Sequence, residues 1–129
     1  MTLVDTSVWI ELLNGSLGSR VTEAELLTFV TCGPIVQEVL QGLRGDPASE
    51  VLRDCLLALP VLGDPLPFAL FLSAAEIYRL GRAKGYTIRS STDCLIAAIA
   101  IENGVPVWHK DRDFEAIARY TSLRTRRIA

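Results

Sequence analysis

Four acids in this 129-residue chain stand where a chemical site needs them. Asp5 directly follows a short apolar run, Thr2-Leu3-Val4. Glu38 lies in the first turns of a helix opened by Gly33-Pro34. Asp93 belongs to a Ser91-Thr92-Asp93 helix start, and Asp111 comes just after the apolar run at residues 105–108. Carboxylates gathered within a few ångströms repel one another and resist joint ionisation. A hard divalent cation relieves that repulsion, and an oxygen-only ligand set suits Mg²⁺ or Mn²⁺. Such a centre serves in-line displacement at a phosphodiester, one ion activating a water while a second, ~3.5–4 Å away, stabilises the leaving oxygen.

Other chemistries find less support. The chain has no GxxxxGK[ST] phosphate loop, no GxGxxG fingerprint and no HExxH zinc helix. Its single histidine, His109, has no nucleophile-and-acid arrangement around it. Each acid also has an ordinary reading: Asp93 and Asp111 as helix caps, Glu38 as a partner of a helix dipole. Asp5 resists that treatment, because a carboxylate placed directly after a buried strand and flanked by Val4 and Val8 needs partners or a metal. Together the four read as a site, with at least one pKa raised by like charge. Asp5→Asn is then expected to stabilise the metal-free protein.

The elements that must position these acids alternate in type. A strand at residues 2–4 leads to a helix at 6–13. A short helix at 20–27 precedes a strand at 28–31, and Pro34 suits the first position of the helix that follows, 34–43. Asp46-Pro47 opens a helix to about residue 58, and residues 60–62 form a third strand. Residues 67–84 carry the longest helical pattern, with Phe68, Phe71, Leu72 and Ala75 on one face and Gly85 at its end. Residues 94–100 are apolar all round, which places that helix in the middle of the domain. Gly104 ends it, a strand spans 105–108, a helix 111–120, and a last edge strand 122–126. Alternation of this kind predicts an α/β fold, a mostly parallel sheet with helices on both faces in a single domain over 1–129. In an open parallel sheet the crevice lies beyond the carboxyl ends of the strands, where all four acids fall.

Half the residues are apolar, enough for a core without staples, and no run is long enough to span a bilayer. Cys32, Cys55 and Cys94 are an odd number with no CxxC pair, as reduced thiols of a cytoplasmic protein would be. The opening MTLVDTSVW resembles neither a signal peptide nor a mitochondrial address. Net charge is −2, but setting aside the four site acids turns it to +2, and the tail from Arg119 through Arg124 and Arg126 to Arg127 is basic. An acidic total therefore does not exclude a polyanionic substrate.

These motifs resemble those of the PIN-domain nucleases, and among them the VapC-type toxins of bacterial toxin–antitoxin pairs, over nearly the whole chain. Val4-Asp5-Thr6-Ser7 looks like the family's hydrophobic-Asp-x-Ser opening. Glu38 with Gly42 is similar to its second motif, Asp93-Cys94-Leu95-Ile96-Ala97-Ala98 to its third, and Lys110-Asp111-Arg112-Asp113-Phe114 to its fourth. The resemblance implies a PIN-like three-layer sandwich, Mg²⁺- or Mn²⁺-dependent endoribonuclease activity on RNA, a homodimer, and a cognate antitoxin that blocks the site. It carries Asp5, Glu38, Asp93 and Asp111 over as metal ligands. Ser7 becomes a helper that hydrogen-bonds the cluster, or else a neighbour of a helix cap. Asp113 either shares metal binding or supports its helix, with Asp111 expected to matter more. The fourth motif commonly has Thr or Ser where His109 stands, which opens the question of His109 as a base. Arg89 and Arg112 read as phosphate contacts or as ordinary partners of Asp. Trp9, Phe68, Phe71 and Tyr78 read as core, as dimer contacts or as a groove for a partner helix. The rival functions are a non-catalytic binding module of the same fold and a DNA or 5′-nuclease-like enzyme.

Overall fold

The computed structural model describes residues 1–15 and 21–128. Five strands, β1 (Thr2–Val4), β2 (Phe29–Cys32), β3 (Val61–Leu62), β4 (Val107–His109) and β5 (Thr125–Arg127), form one sheet in the order β3-β2-β1-β4-β5. Every neighbouring pair is parallel. Among the described residues the connecting helices are α1 (Thr6–Leu13), α2 (Glu23–Leu26), α3 (Gly33–Gln41), α4 (Pro47–Leu57), α5 (Phe68–Ala83), α6 (Ser91–Asn103) and α7 (Arg112–Tyr120). Parallel neighbours need crossover connections, which these helices supply.

β2 and β4 are buried at every position. Successive side chains on a strand point to opposite faces, so unbroken burial means that both faces of the sheet are covered. The covering helices form two groups, α1 with α3 and α4, and α5 with α6 and α7. Inside, Trp9 meets the edge of Phe29 at 6.2 Å, and Phe29 leans on Trp108 at 5.7 Å. The Trp9 indole N–H is satisfied there: it donates to the Val4 carbonyl at 3.1 Å. α6 is buried on almost every side, as an apolar helix without a polar face must be, and Gly104 ends it in the left-handed region at φ 64°.

Several expectations shift. β4 starts two residues late because the Val105 N–H is already given to the Ala100 carbonyl and Pro106 has no N–H to offer. α5 buries Leu70, Ala74, Ile77 and Gly81, so the face made by Phe68, Phe71, Leu72 and Ala75 is the outward one. Trp9 is core, whereas Phe68, Phe71 and Tyr78 are exposed. The short second helix spans Glu23–Leu26 only; the expected start at Arg20 lies outside the described residues. No described helix is long and apolar enough to cross a membrane.

Candidate active site

The strand order reverses direction at β1: the chain moves to β2 on one side and later to β4 on the other. Such a switch point leaves a crevice at the carboxyl ends of the two central strands. Asp5 is the residue after β1, and its N–H donates to the Trp108 carbonyl of β4 at 2.9 Å, which ties the two strand ends together. Asp111 follows β4 by two residues. Asp93 stands in the first turn of α6. Glu38 is the sixth residue of α3, in its second turn, for a helix that begins one residue earlier than expected.

Within this group, Asp93, Asp111 and Asp113 each offer a carboxylate oxygen, and the three oxygens lie within 4.8 Å of one another. Asp5 faces them: its charge raises the Asp93 pKa, and that of Asp111 raises its own. Glu38 is coupled to Asp5 rather than to the trio, and it accepts a hydrogen bond from the Thr6 hydroxyl at 3.2 Å. Of the expected four, Asp5 thus feels or exerts charge on Asp93, Asp111 and Glu38, whereas Glu38 answers to Asp5 alone. Asp113, expected as a supporting residue, is in the tight group.

The acids differ in how their charge is supported. Asp5 caps α1, accepting from the Ser7 N–H at 3.1 Å and the Ser7 hydroxyl at 2.6 Å on the same oxygen. Burial still raises its pKa, against the pull of these donors. Asp111 caps α7 by accepting from the Asp113 N–H at 3.0 Å. Asp113 accepts the Arg89 N–H at 3.1 Å. Asp93 has no such help. It is not the cap of α6, which is Ser90, and its buried Oδ2 has no hydrogen-bond partner. Burial first, then the charges of Asp5, Asp111 and Asp113, push its pKa up to about 8. A buried carboxylate with an unpartnered oxygen, grouped with other carboxylates, fits a divalent cation, which supplies the missing positive charge.

Ser7 is both things the sequence allowed, beside a cap and bonded to the cluster. Its hydroxyl donates to Asp5 and accepts the Lys110 N–H at 3.0 Å, so it fastens α1 to the segment after β4. His109 is committed to the interior of the fold. Its ring is fully buried against Phe114, and its Nε2 lies 2.9 Å from Glu115 Oε1. Thr6 went unnoticed in the sequence, although a hydroxyl between Asp5 and Ser7 was a visible signal. The Arg89 guanidinium lies 3.8 Å from both Asp111 Oδ1 and Asp113 Oδ1, so it balances charge without a close hydrogen bond.

The PIN domain family matches residues 2–120. The chain belongs to that family. A relative from Mycobacterium bovis, VapC ribonuclease Mb1587, is 40% identical over 95% of this chain and 96% of its own length. Two solved structures share the fold. VapBC2 from Rickettsia felis, bound to a promoter DNA fragment, has a TM-score of 0.77 at 19% identity, covering 98% of this chain and 97% of its own. VapBC-5 of Mycobacterium tuberculosis, of the VapBC family of toxin–antitoxin systems, has a TM-score of 0.71 at 23% identity and covers 98% of both chains. The PIN fold thus accounts for the five-stranded parallel sheet with its covering helices.

Proposed function

We propose that this PIN domain is an endoribonuclease that hydrolyses RNA phosphodiester bonds with Mg²⁺ or Mn²⁺, and that it is the toxin of a toxin–antitoxin pair. The observation that carries the reading is Asp93, a buried carboxylate grouped with Asp111 and Asp113 and facing the charge of Asp5, one of whose oxygens has no partner. Asp93, Asp111 and Asp113 would hold the cation, with Asp5 facing them and Glu38 coupled to Asp5. When bound, a divalent ion acidifies a water for attack and neutralises charge developing on the phosphate. The protein's own part is positioning. Ser7 fixes the Asp5 carboxylate, Thr6 fixes Glu38, and the Asp113 N–H fixes Asp111.

Purified protein should cut total cellular RNA in Mn²⁺ and not in EDTA, and mapped ends would define the target. Asp93→Asn should lose that activity while staying folded. Folded wild type without metal-dependent cleavage, or with DNA cut in preference to RNA, would overturn the reading.

An antitoxin partner is supported by the fold neighbour VapBC-5, a member of a family of toxin–antitoxin systems. Expression alone should arrest growth and co-expression with the cognate antitoxin should restore it; strong expression without effect counts against the toxin role. The outward face of α5, with Phe68 at 76% and Leu72 at 60% exposure, supports a homodimer. Sedimentation should show a dimer that Leu72→Asp converts to monomer.

A further inference from the structure

Beside the acidic centre lies a hollow of opposite character, lined by Ser7, Arg89, Lys110, Asp111, Arg112 and Arg127. Four of these six residues are cations, in a chain whose net charge is −2. Their surroundings show which of them are uncommitted. Lys110 is held by Glu11 through its ammonium. Of the basic tail, Arg124 donates to the Gly104 carbonyl, and Arg126 pairs with Glu25 at 2.7 Å and lies over the Trp108 ring at 4.2 Å. Arg127, next along β5, turns instead to the hollow, within electrostatic reach of Glu115. Arg112 and Arg127 have no ion-pair partner at bonding distance among the described residues.

Arg89 belongs to both regions. Its main-chain N–H is fastened to Asp113, which sets where the residue sits. Its side chain is 57% exposed and stands 3.8 Å from Asp111 and from Asp113, too far for a strong bond to either. A guanidinium at that distance compensates carboxylate charge and stays free to turn a planar set of donors toward another anion.

Resting on the ribonuclease reading, we propose that this hollow seats a phosphate of the RNA strand next to the bond that is cut, and that Arg89 is shared between the two regions. Without a cation in the centre, Arg89 is the counter-ion of Asp111 and Asp113. With a cation there, those carboxylates no longer need it, and Arg89 joins Arg112 and Arg127 on the phosphate. Metal and RNA then help one another to bind, because each relieves Arg89 of a competing duty.

The first arm compares RNA binding of three proteins in EDTA, each in an Asp93→Asn background so that nothing is cut. The probe is a labelled RNA carrying the cut site mapped with wild type. The Arg112→Gln/Arg127→Gln variant should bind about tenfold more weakly, and its salt dependence should flatten by ~0.7 in log–log slope for each phosphate it no longer neutralises. Arg53→Gln/Lys84→Gln removes the same charge outside the hollow and should keep the parent's slope. With native Asp93, KM of the hollow variant should rise while kcat is retained. The second arm titrates Mn²⁺ by calorimetry without RNA. Arg89→Gln should bind Mn²⁺ on the order of threefold more tightly, since a competing cation is gone, while Arg89→Lys should stay near wild type. The Arg89 N–H bond to Asp113 survives either substitution, which protects the fold. A hollow variant whose salt slope matches the parent or the control overturns the phosphate seat. Unchanged or weaker Mn²⁺ binding by Arg89→Gln overturns the sharing. A wild type that cuts no RNA overturns the ribonuclease reading itself.

Discussion

Asp5 and Asp93 are equally hidden, at 5% and 6% exposure, yet the chain treats them differently. Asp5 receives a hydroxyl and a main-chain N–H from Ser7, and it caps a helix. Asp93 receives neither, and one of its oxygens has no partner. Burial raises both; donors hold Asp5 back, while the charges of Asp5, Asp111 and Asp113 push Asp93 further up. Asp5 is a carboxylate the protein supports by itself; in the proposed metal site, Asp93 is the one a cation would complete. A site of this kind needs both, one fixed anion to frame the crevice and one costly anion that makes metal binding favourable.

The largest expected effect is on activity. Asp93→Asn and Asp5→Asn should each reduce Mn²⁺-dependent RNA cleavage by more than ~100-fold, the scale on which metal sites lose function. Equal activity in either variant would break the comparison at its root.

Stability should separate the two acids. In EDTA, Asp93→Asn should melt above wild type, by ~2–8 °C for each kcal/mol of repulsion relieved. Asp5→Asn should gain less, since its carboxylate is already supported and Asn caps a helix comparably. If Asp5→Asn gains more, the strained acid has been misplaced.

The same contrast has a pH signature. Burial, then the charges of its neighbours, push the Asp93 pKa from the ordinary 3.8 up to about 8 in the folded chain, so between those values the native state binds more protons. Stability in EDTA should therefore fall as pH rises from about 4 to about 8. Thermal melts of Asp93→Asn across that window should show a flatter slope than wild type.

The smallest effects should come from the positioning hydroxyls. Ser7→Ala removes the 2.6 Å bond to Asp5 and should cost ~10–100-fold in cleavage with little change in Mn²⁺ affinity at Asp93. Thr6→Val should cost less, because Glu38 is coupled to Asp5 rather than to the trio.

Much of this was legible in the sequence. A short apolar run that stops at Asp5 sets β1 at its observed bounds, and alternation of strands and helices implies a parallel sheet with its acids at one edge. What was hidden depended on side-chain direction. On α5, Phe68, Phe71, Leu72 and Ala75 share a face as Leu70, Ala74, Ile77 and Gly81 do, and only packing against α6 and α7 decides which turns inward. Asp111 and Asp113 are two apart at a helix start, so their order along the chain does not rank them as ligands. Both join the trio, and Asp113 is the more buried. Arg89 lies 22 and 24 residues before its two partners, and no pattern links them.

Calorimetric titration of wild type and Asp93→Asn with Mn²⁺, without RNA, tests the central claim most directly. If the carboxylates form a divalent-cation centre completed by Asp93, wild type should bind saturably and Asp93→Asn at least ~10-fold more weakly. Equal affinity in the two proteins, or no binding by folded wild type, would contradict it.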